Sequence, residues 1–446
     1  MKKNDCLSAE LRVLDDCFRV TIIEMKDIAE KFHEAMLDGL TRLKGPLKML
    51  PSFFNIPTGE ENGVFLSVDF GGTNVRVSLI KLLGDGEITV LKKRSTLLKD
   101  PGGSYDYTSS AATGRELFSF LAEQIVELVG ANETVPLGLT FSFPTEMQAS
   151  NKAVLIAWTK EFNTRMVEGR DINLLLHDAL QGRGLHGIMP VAVINDTVGT
   201  LLTAAYVNPN ADIGSICGTG HNTCYFEPLP PRQPGPMIIN IESGNFNGLP
   251  TNDFDRYLDL HSEKPGEQVL EKMVSGRYLG ELMRLVVLDL VHKGCLFPGR
   301  GSDMTGFPFQ TNSLSAEHIS LMLGDESLGL SETAAWLKGS TGIEELSLPE
   351  LSALKTIANL LTTRAARLVA ATYAGVLRRL DPLLKRPHII AVDGSLYEKM
   401  PGFATNLRLA MDDVLQDRSG QVTLKITKDG SGMGAAIAAA VAGAFK

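Results

Sequence analysis

The chain offers no excess of positive charge. Its 446 residues carry 43 Lys and Arg against 52 Asp and Glu, a net charge of −9, which excludes the basic footprint that nucleic-acid or anionic-membrane binding needs. Cysteine is scarce: five residues, an odd number with no Cys-x-x-Cys pair. That count fits a reduced, cytoplasmic protein better than a disulfide framework. Crossing a bilayer takes about 20 apolar residues, and the Ala-rich stretch from Ala435 to Phe445 is too short for it. The start, Met1-Lys-Lys-Asn-Asp, is charged and helix-periodic and is not a signal peptide. The eight His are scattered without metal-ligand spacing, and no heptad or solenoid repeat is present. Two sequons, at Asn132 and Asn195, read as chance matches, the second because it falls at a buried strand end. Two common nucleotide loops are also missing. No Gly-Lys-Ser/Thr ending opens a helix, and no spaced glycine triplet precedes one.

What is present is a glycine turn between two strands. Residues 64–80 end one apolar run at Asp69, turn at Gly71-Gly72, and return with Val75, Val77 and Leu79 alternating with Arg76 and Ser78, which is strand period. Backbone N–H groups at Gly71 and Gly72 can approach phosphate oxygens, Thr73 adds a hydroxyl, and Asp69 is placed to hold a hydrated Mg²⁺ beside them. A plain Gly-Gly hairpin with an acidic shoulder explains the same residues, so this stretch alone leaves both readings open. A second hairpin of the same design favours the phosphate reading: the strand from Ile213, the turn Gly218-Thr219-Gly220, and a return strand. Two such turns facing across a cleft would grip a polyphosphate from both ends, and they imply two related halves. Two further small-residue turns lie at Asp393-Gly-Ser-Leu-Tyr and Asp429-Gly-Ser-Gly-Met-Gly, the latter opening an Ala-rich helix from about Gly434. Its glycines would let adenine or ribose approach the backbone, or would serve helix packing.

Length and a 44% hydrophobic content allow two substantial cores. One helical face is expected near the start, along Leu11, Leu14, Phe18, Ile22, Met25, Ile28 and Phe32. A smaller domain mixing strands with one clear helix near 115–129 runs to about residue 196, where the apolar strand Val191-Ala-Val-Ile stops at Asn195-Asp196 and a helix begins. A larger domain follows, with strands to about 242 and long helices thereafter. Strands and helices in this order make an α/β protein with a mixed sheet in each domain. The proline-dense loop 227–236 reads as a surface connector rather than a partner-binding polyproline segment.

Asp69-Phe-Gly-Gly-Thr-Asn, Phe141-Ser-Phe-Pro, Trp158-Thr-Lys, Asn195-Asp-Thr, Gly218-Thr-Gly, Asp393-Gly-Ser-Leu-Tyr and Asp429-Gly-Ser-Gly occur in the order and rough spacing of the hexokinase and glucokinase family, which the chain resembles from about residue 10 to its end. The resemblance implies two actin-like, ribonuclease H-like lobes around a deep cleft. Residues 64–196, joined by a C-terminal helix 434–446, would form the smaller lobe, and 1–63 with 197–433 the larger. It also implies ATP-dependent phosphorylation of the 6-hydroxyl of glucose or a similar hexose, with Mg²⁺, in a monomer or homodimer with no nucleic-acid or membrane partner.

Phosphoryl transfer needs a clamped donor, an in-line hydroxyl and an acceptor for its proton. Asp196, at a strand's carboxyl end, suits the acceptor role, and it equally suits a helix N-cap. The resemblance makes it the catalytic base, with Lys160 offsetting charge on the moving phosphoryl group and, with Thr159, contacting sugar hydroxyls. By motif match, Ser142, Asn195, Asn222, Glu242 and Glu271 also read the sugar, while Glu271 alone reads as an acidic first turn of a helix. The nucleotide would meet Asp69, Gly71, Gly72, Thr73, Asn74, Gly218, Thr219, Gly220, Gly394, Ser395, Gly430 and Ser431, with Asp69 on the metal through water. The pattern is broken where Ser243-Gly-Asn-Phe replaces a common Trp-Gly-Ala-Phe, at Glu161 in place of Gly, and at Met433 in place of a basic residue. The first two flank the sugar site and bear on hexose preference; the third bears on nucleotide contact. Alternatives are a sugar sensor that binds without turnover, and an actin- or chaperone-like ATPase.

Overall fold

The computed structural model describes residues 3–42, 45–130, 133–159, 162–231, 233, 235–298, 306–343 and 345–443. Lys160, Glu161 and Asn132 lie outside that set. Two N-terminal helices, α1 (Lys3–Phe18) and α2 (Ile22–Arg42), lead to strand β1 (Leu50–Pro51). The meander β2 (Asn62–Phe70), β3 (Asn74–Leu83) and β4 (Ile88–Leu97) follows, then α3 (Gly114–Val129), β5 (Val135–Phe141), the hairpin β6 (Thr145–Ala149) and β7 (Lys152–Leu155), α4 (Ile172–Gly182) and β8 (Ile188–Ile194). Helix α5 (Asp196–Val207) precedes a second meander, β9 (Ala211–Cys217), β10 (His221–Glu227) and β11 (Met237–Asn240). Helices α6 (Asp253–Leu260), α7 (Val269–Val274), α8 (Gly276–His292), α9 (Ala316–Gly324), α10 (Ser331–Thr341) and α11 (Leu348–Leu380) come next. The chain closes with β12 (His388–Asp393), α12 (Ser395–Lys399), α13 (Phe403–Leu415), β13 (Val422–Ile426) and α14 (Gly430–Gly443).

The two sheets repeat one topology. In the first the order is β4-β3-β2-β5-β8, with three antiparallel strands followed by two parallel ones. In the second, β11-β10-β9-β12-β13 does the same, with β1 added at the β11 edge. The architecture is α/β with two actin-like lobes built on mixed sheets. Alternation along the strands sorts side chains to opposite faces. Leu66, Val68 and Phe70 of β2 join Leu137, Leu139 and Phe141 of β5 in a core under α3 and α4. The other face carries Phe65, Ile80 and Leu82 into a core shared with α5, α14, Cys224 and Ile238. A third and larger core holds α1, α2 and the helices α6 to α13 against the outer face of the second sheet.

The helices closing each half are exchanged. Helix α5, which follows the first sheet, packs on β9 and β10 of the second, while α14 packs on β2, β5 and β8 of the first, and the two cross each other. The approach is so close that a Cβ on Gly138 would lie 1.8 Å from Ala435 O, and one on Gly434 would lie 2.2 Å from Gly199 O. Only a residue without a side chain fits there.

Four expectations need correction. The N-terminal helical face is two helices: Thr21 and Glu24 form a capping box, Thr21 N donating to Glu24 Oε2 at 2.7 Å and Glu24 N to Thr21 Oγ1 at 3.2 Å, which starts a new helix. The last helix begins at Gly430 rather than Gly434, because its glycines form the first turn against α5. The first region contains a second helix, α4, and the long-helix region is followed by strands β12 and β13. Finally, Cys6 of α1 and Cys295, just past α8, form a disulfide with Cα atoms 5.5 Å apart, which sequence parity could not reveal across a separation of 289 residues. Cys17, Cys217 and Cys224 are free.

Candidate active site

Corresponding positions of the two halves supply the site. The turns after β2 and β9, the residues after β5 and β12, and the starts of α5 and α14 all lie at strand ends where α/β folds place reacting groups. In the first turn Gly71 N approaches Asn74 O at 3.4 Å and Leu98 N binds Thr73 O at 3.0 Å, leaving Thr73 exposed. Asp69, 8% exposed, accepts from Ser431 Oγ at 3.2 Å and from Arg76 at 3.4 Å. Burial pushes its carboxyl above the usual range; Arg76 opposes this, and Asp196 and Asp429 add to it.

The second turn is held by the start of α8. Gly276 N donates to Gly218 O at 2.9 Å and Arg277 N to Thr219 O at 3.1 Å, with Thr219 left exposed. Gly394, at φ 117°, lies against this turn, so that a Cβ there would meet Cys217 O at 2.5 Å. Asp393 ties the two later turns together: Oδ1 accepts from Gly394 N at 2.7 Å and Oδ2 from Gly430 N at 3.1 Å. Its pKa is pushed up to about 6 by burial, with Asp196 and Asp429 adding to the rise. Ser395 is exposed at the first position of α12. The start of α14 is anchored by Thr203 Oγ1 on Gly430 O at 2.8 Å and Thr140 Oγ1 on Ser431 O at 2.7 Å. A connected chain of contacts thus runs from Gly218 through Gly394, Asp393 and Gly430 to Ser431 and Asp69.

On the opposite side, an aromatic cluster gathers three motifs. Phe70, Phe141, Phe143, Trp158 and Phe162 stack or meet edge to face with centroids 4.9–6.0 Å apart. Ser142 lies in the chain between two of these rings and Thr159 next to a third, and Ser142 N donates to Phe70 O at 3.4 Å, one residue after Asp69. Glu242 sits in the left-handed region at φ 58°, a conformation that persists where the surroundings enforce it. Its Oε1 accepts from Asn240 Nδ2 at 2.8 Å and Asn222 Nδ2 at 3.3 Å. Asn222 also donates to Asn240 Oδ1 at 2.9 Å and accepts at Oδ1 from Thr223 N and Ser243 N. The Asn222 amide is therefore committed to protein groups. Ser243 is buried and donates to Thr223 Oγ1 at 3.2 Å, and Asn245 Nδ2 lies 3.3 Å from Glu242 O.

Glu271 is in the first turn of the short helix α7, which Ser275 separates from α8. Its Oε2 accepts from His221 N at 2.9 Å. A Cβ on Gly220 would lie 2.9 Å from that oxygen, so the glycine of the turn is what admits the carboxylate. Burial pushes the Glu242 carboxyl up, the hydrogen bond from Asn240 opposes this, and Asp196 and Glu271 add to the rise.

Asp196 stands between the two sides. The N-cap of α5 is Asn195, whose Oδ1 accepts from Thr197 N at 2.9 Å, so the capping alternative for Asp196 falls to its neighbour. Asp196 Oδ1 accepts from Thr197 N at 2.8 Å. Its charge acts on Asp69 and Asp393 on one side and on Glu242 on the other. Among the described residues no group of three or more His, Cys, Asp or Glu side chains is assembled to hold a metal.

Three residues escaped the sequence reading. Arg76 lies directly opposite Asp69 in the β2–β3 register, which the hairpin spacing already encoded. Asn240, the last residue of β11, donates to Glu242 two residues on, beyond the strand's end. The Asp393 carboxylate stood within a quoted motif, but its partner Gly430 is far along the chain.

Two hexokinase family models match, over residues 10–206 and 212–441. Hexokinase-1 of Saccharomyces cerevisiae is 33% identical over 462 residues, covering 98% of this chain and 92% of the relative. Hexokinase-2 of Candida albicans is 33% identical over 460 residues, covering 97% and 91%. Among solved structures, one hexokinase crystal structure superposes with a TM-score of 0.85 at 33% identity over 98% of this chain and 99% of the other. A Schistosoma mansoni hexokinase complexed with glucose gives 0.84 at 31% identity over 99% and 100%. The chain belongs to the hexokinase family.

Proposed function

We propose that the protein transfers the γ-phosphoryl group of ATP to the 6-hydroxyl of glucose or a similar hexose, giving hexose 6-phosphate and ADP in the first step of glycolysis. The observation that carries this reading is Asp196 at the start of α5, whose charge acts both on Asp69 and Asp393 beside the glycine turns and on Glu242 among Asn222, Asn240 and Glu271. In this reading the Gly71–Asn74 and Gly218–Gly220 turns hold the polyphosphate through backbone N–H groups and the hydroxyls of Thr73 and Thr219. The glycine starts at Gly394-Ser395 and Gly430-Ser431 lie along the nucleoside. Ser142, Thr159, Asn195, Glu242 and Glu271 position the hexose, and Asn222 orients Glu242. Asp196 takes the proton of the attacking hydroxyl, and Lys160 offsets charge on the transferred group.

A single partly paired carboxylate fits Mg²⁺, which keeps most of its shell as water and phosphate oxygen. Asp69 would hold it, and the ion supplies neutralisation of the charge developing on the phosphates. The lobe division follows the two sheets: 64–196 with the last helix as the smaller lobe, and 1–63 with 197–433 as the larger. No helix among the described residues is long and apolar enough to cross a membrane. The cytoplasmic setting is part of the same proposal.

The test is a coupled assay of ADP release with glucose, fructose, mannose and N-acetylglucosamine against a no-sugar blank. Sugar-dependent release is expected. Equal release in the blank would make the protein an ATPase, and no release in any arm would make it a sugar-binding protein without turnover.

A further inference from the structure

Asp429, the residue before α14, is bound by a cation from a distant strand. Lys93 of β4 places its Nζ 2.6 Å from Asp429 Oδ2, a contact between residues 336 apart in the chain. Strand register explains how Lys93 arrives there. It stands opposite Ser78, which stands opposite Ser67, and the next row on the same face is Ser95, Arg76 and Asp69. Lys93 and Arg76 therefore occupy the face of the first sheet against which α14 packs, and each meets one carboxylate: Arg76 meets Asp69 at 3.4 Å and Lys93 meets Asp429. The helix brings no cation of its own. Gly430–Gly443 contains no charged residue, Met433 packs against the core shared with α5, and Lys428 is paired with Glu398 at 2.8 Å.

An aspartate just before a helix commonly turns its carboxylate onto the N–H groups of the first turn. Asp429 has a left-handed backbone, φ 52°, and gives its carboxylate to Lys93 instead, so the N–H groups of Ser431 and Gly432 are not spent on it. Such groups at a helix start attract the anionic oxygens of a ligand, and a carboxylate folded onto them would compete. We propose that Lys93 is a positioning residue for ATP: it draws Asp429 away from the start of α14 and offsets its charge, leaving the first turn to the nucleotide. This rests on the reading of Gly430 and Ser431 as nucleotide contacts. The effect falls on the nucleotide and not on the hexose, because β4 and the start of α14 carry none of the residues assigned to the sugar.

The experiment compares wild type with Lys93→Gln, Lys93→Arg, Asp429→Asn and the double variant Lys93→Gln/Asp429→Asn. It measures ATP affinity by calorimetry, and kcat with the KM of ATP and of glucose in the coupled assay. Lys93→Gln is expected to weaken ATP binding and raise ATP KM by roughly two- to fivefold, the scale of a partly exposed charge pair, with glucose KM and kcat close to wild type. Lys93→Arg should restore ATP affinity, and in the Asp429→Asn background the loss of Lys93 should have no further effect. Unchanged ATP affinity in Lys93→Gln overturns the proposal. So does an equal loss in the Asp429→Asn background, which would mean that Lys93 does not act through Asp429, or a matching rise in glucose KM, which would mark a general structural role. A wild type that binds ATP but releases no ADP with any sugar sinks the proposed function while the affinity comparison still decides the role of Lys93, and a wild type that binds no ATP sinks both.

Discussion

Asp196 spends one oxygen on Thr197 and leaves the capping of its helix to Asn195, which frees the carboxylate for chemistry. Asp196→Ala should lower kcat by roughly 10²- to 10⁴-fold, the usual worth of a general base, while glucose still binds. Turnover together with a glucose titration checks both halves of that statement. Asp393 makes a separate prediction. An ordinary carboxyl of its type ionises near 3.8, whereas this one is pushed up to about 6. Between those values the folded protein holds a proton that the unfolded chain has released, so stability falls as pH rises through the window. Asp393→Asn has no such proton. Relative to wild type its melting temperature should climb between those two pH values and level off above, which thermal melts across the range would show. Arg76 was legible at this scale in hindsight, since cross-strand register places it on Asp69, whereas the contact of Asn240 with Glu242 depends on a left-handed turn after β11 that no strand period encodes. The partners of Asp393 were not, because no local pattern links residue 393 to residue 430.

At the scale of elements, the sheets repeat and their closing helices are exchanged, which puts the starts of α5 and α14 side by side. The seam depends on missing side chains. Gly138→Ala would drive a methyl to 1.8 Å from Ala435 O and should cost at least about 1–3 kcal/mol by overpacking. Gly182→Ala, on a helix end with open space around it, is the control and should be neutral or stabilising by about 0.4–1 kcal/mol. Denaturant unfolding of the two variants separates them. The hairpins, α3, β8 and the start of α5 were readable because alternation, helical spacing and caps act within a few residues. The Thr21–Glu24 capping box was readable too, but a continuous hydrophobic face passes over it. Strand β12 is an apolar run buried on both faces, which periodicity does not distinguish from a piece of helix.

For the whole molecule, two lobes joined along the α5–α14 seam carry the two glycine turns on different sheets, so in the proposed reading sugar contacts spanning both would favour a closed form. X-ray scattering should show compaction on adding glucose, and an unchanged radius of gyration would argue against closure. Closure also explains how water, chemically close to the sugar hydroxyl, is refused as acceptor, and a low ADP rate without sugar is the matching kinetic expectation. The amino-acid sequence by itself determined the turns, the caps, the two related halves and the family motifs, since each is written in glycine placement and period over short stretches. Only the tertiary structure decided that Asp69, Asp196, Glu242 and Asp393 share one electrostatic neighbourhood, that Asn222 and Asn240 donate to Glu242, and that Cys6 meets Cys295. The reason is that charge coupling, burial and hydrogen bonding depend on distance through space, which packing sets between residues far apart along the chain.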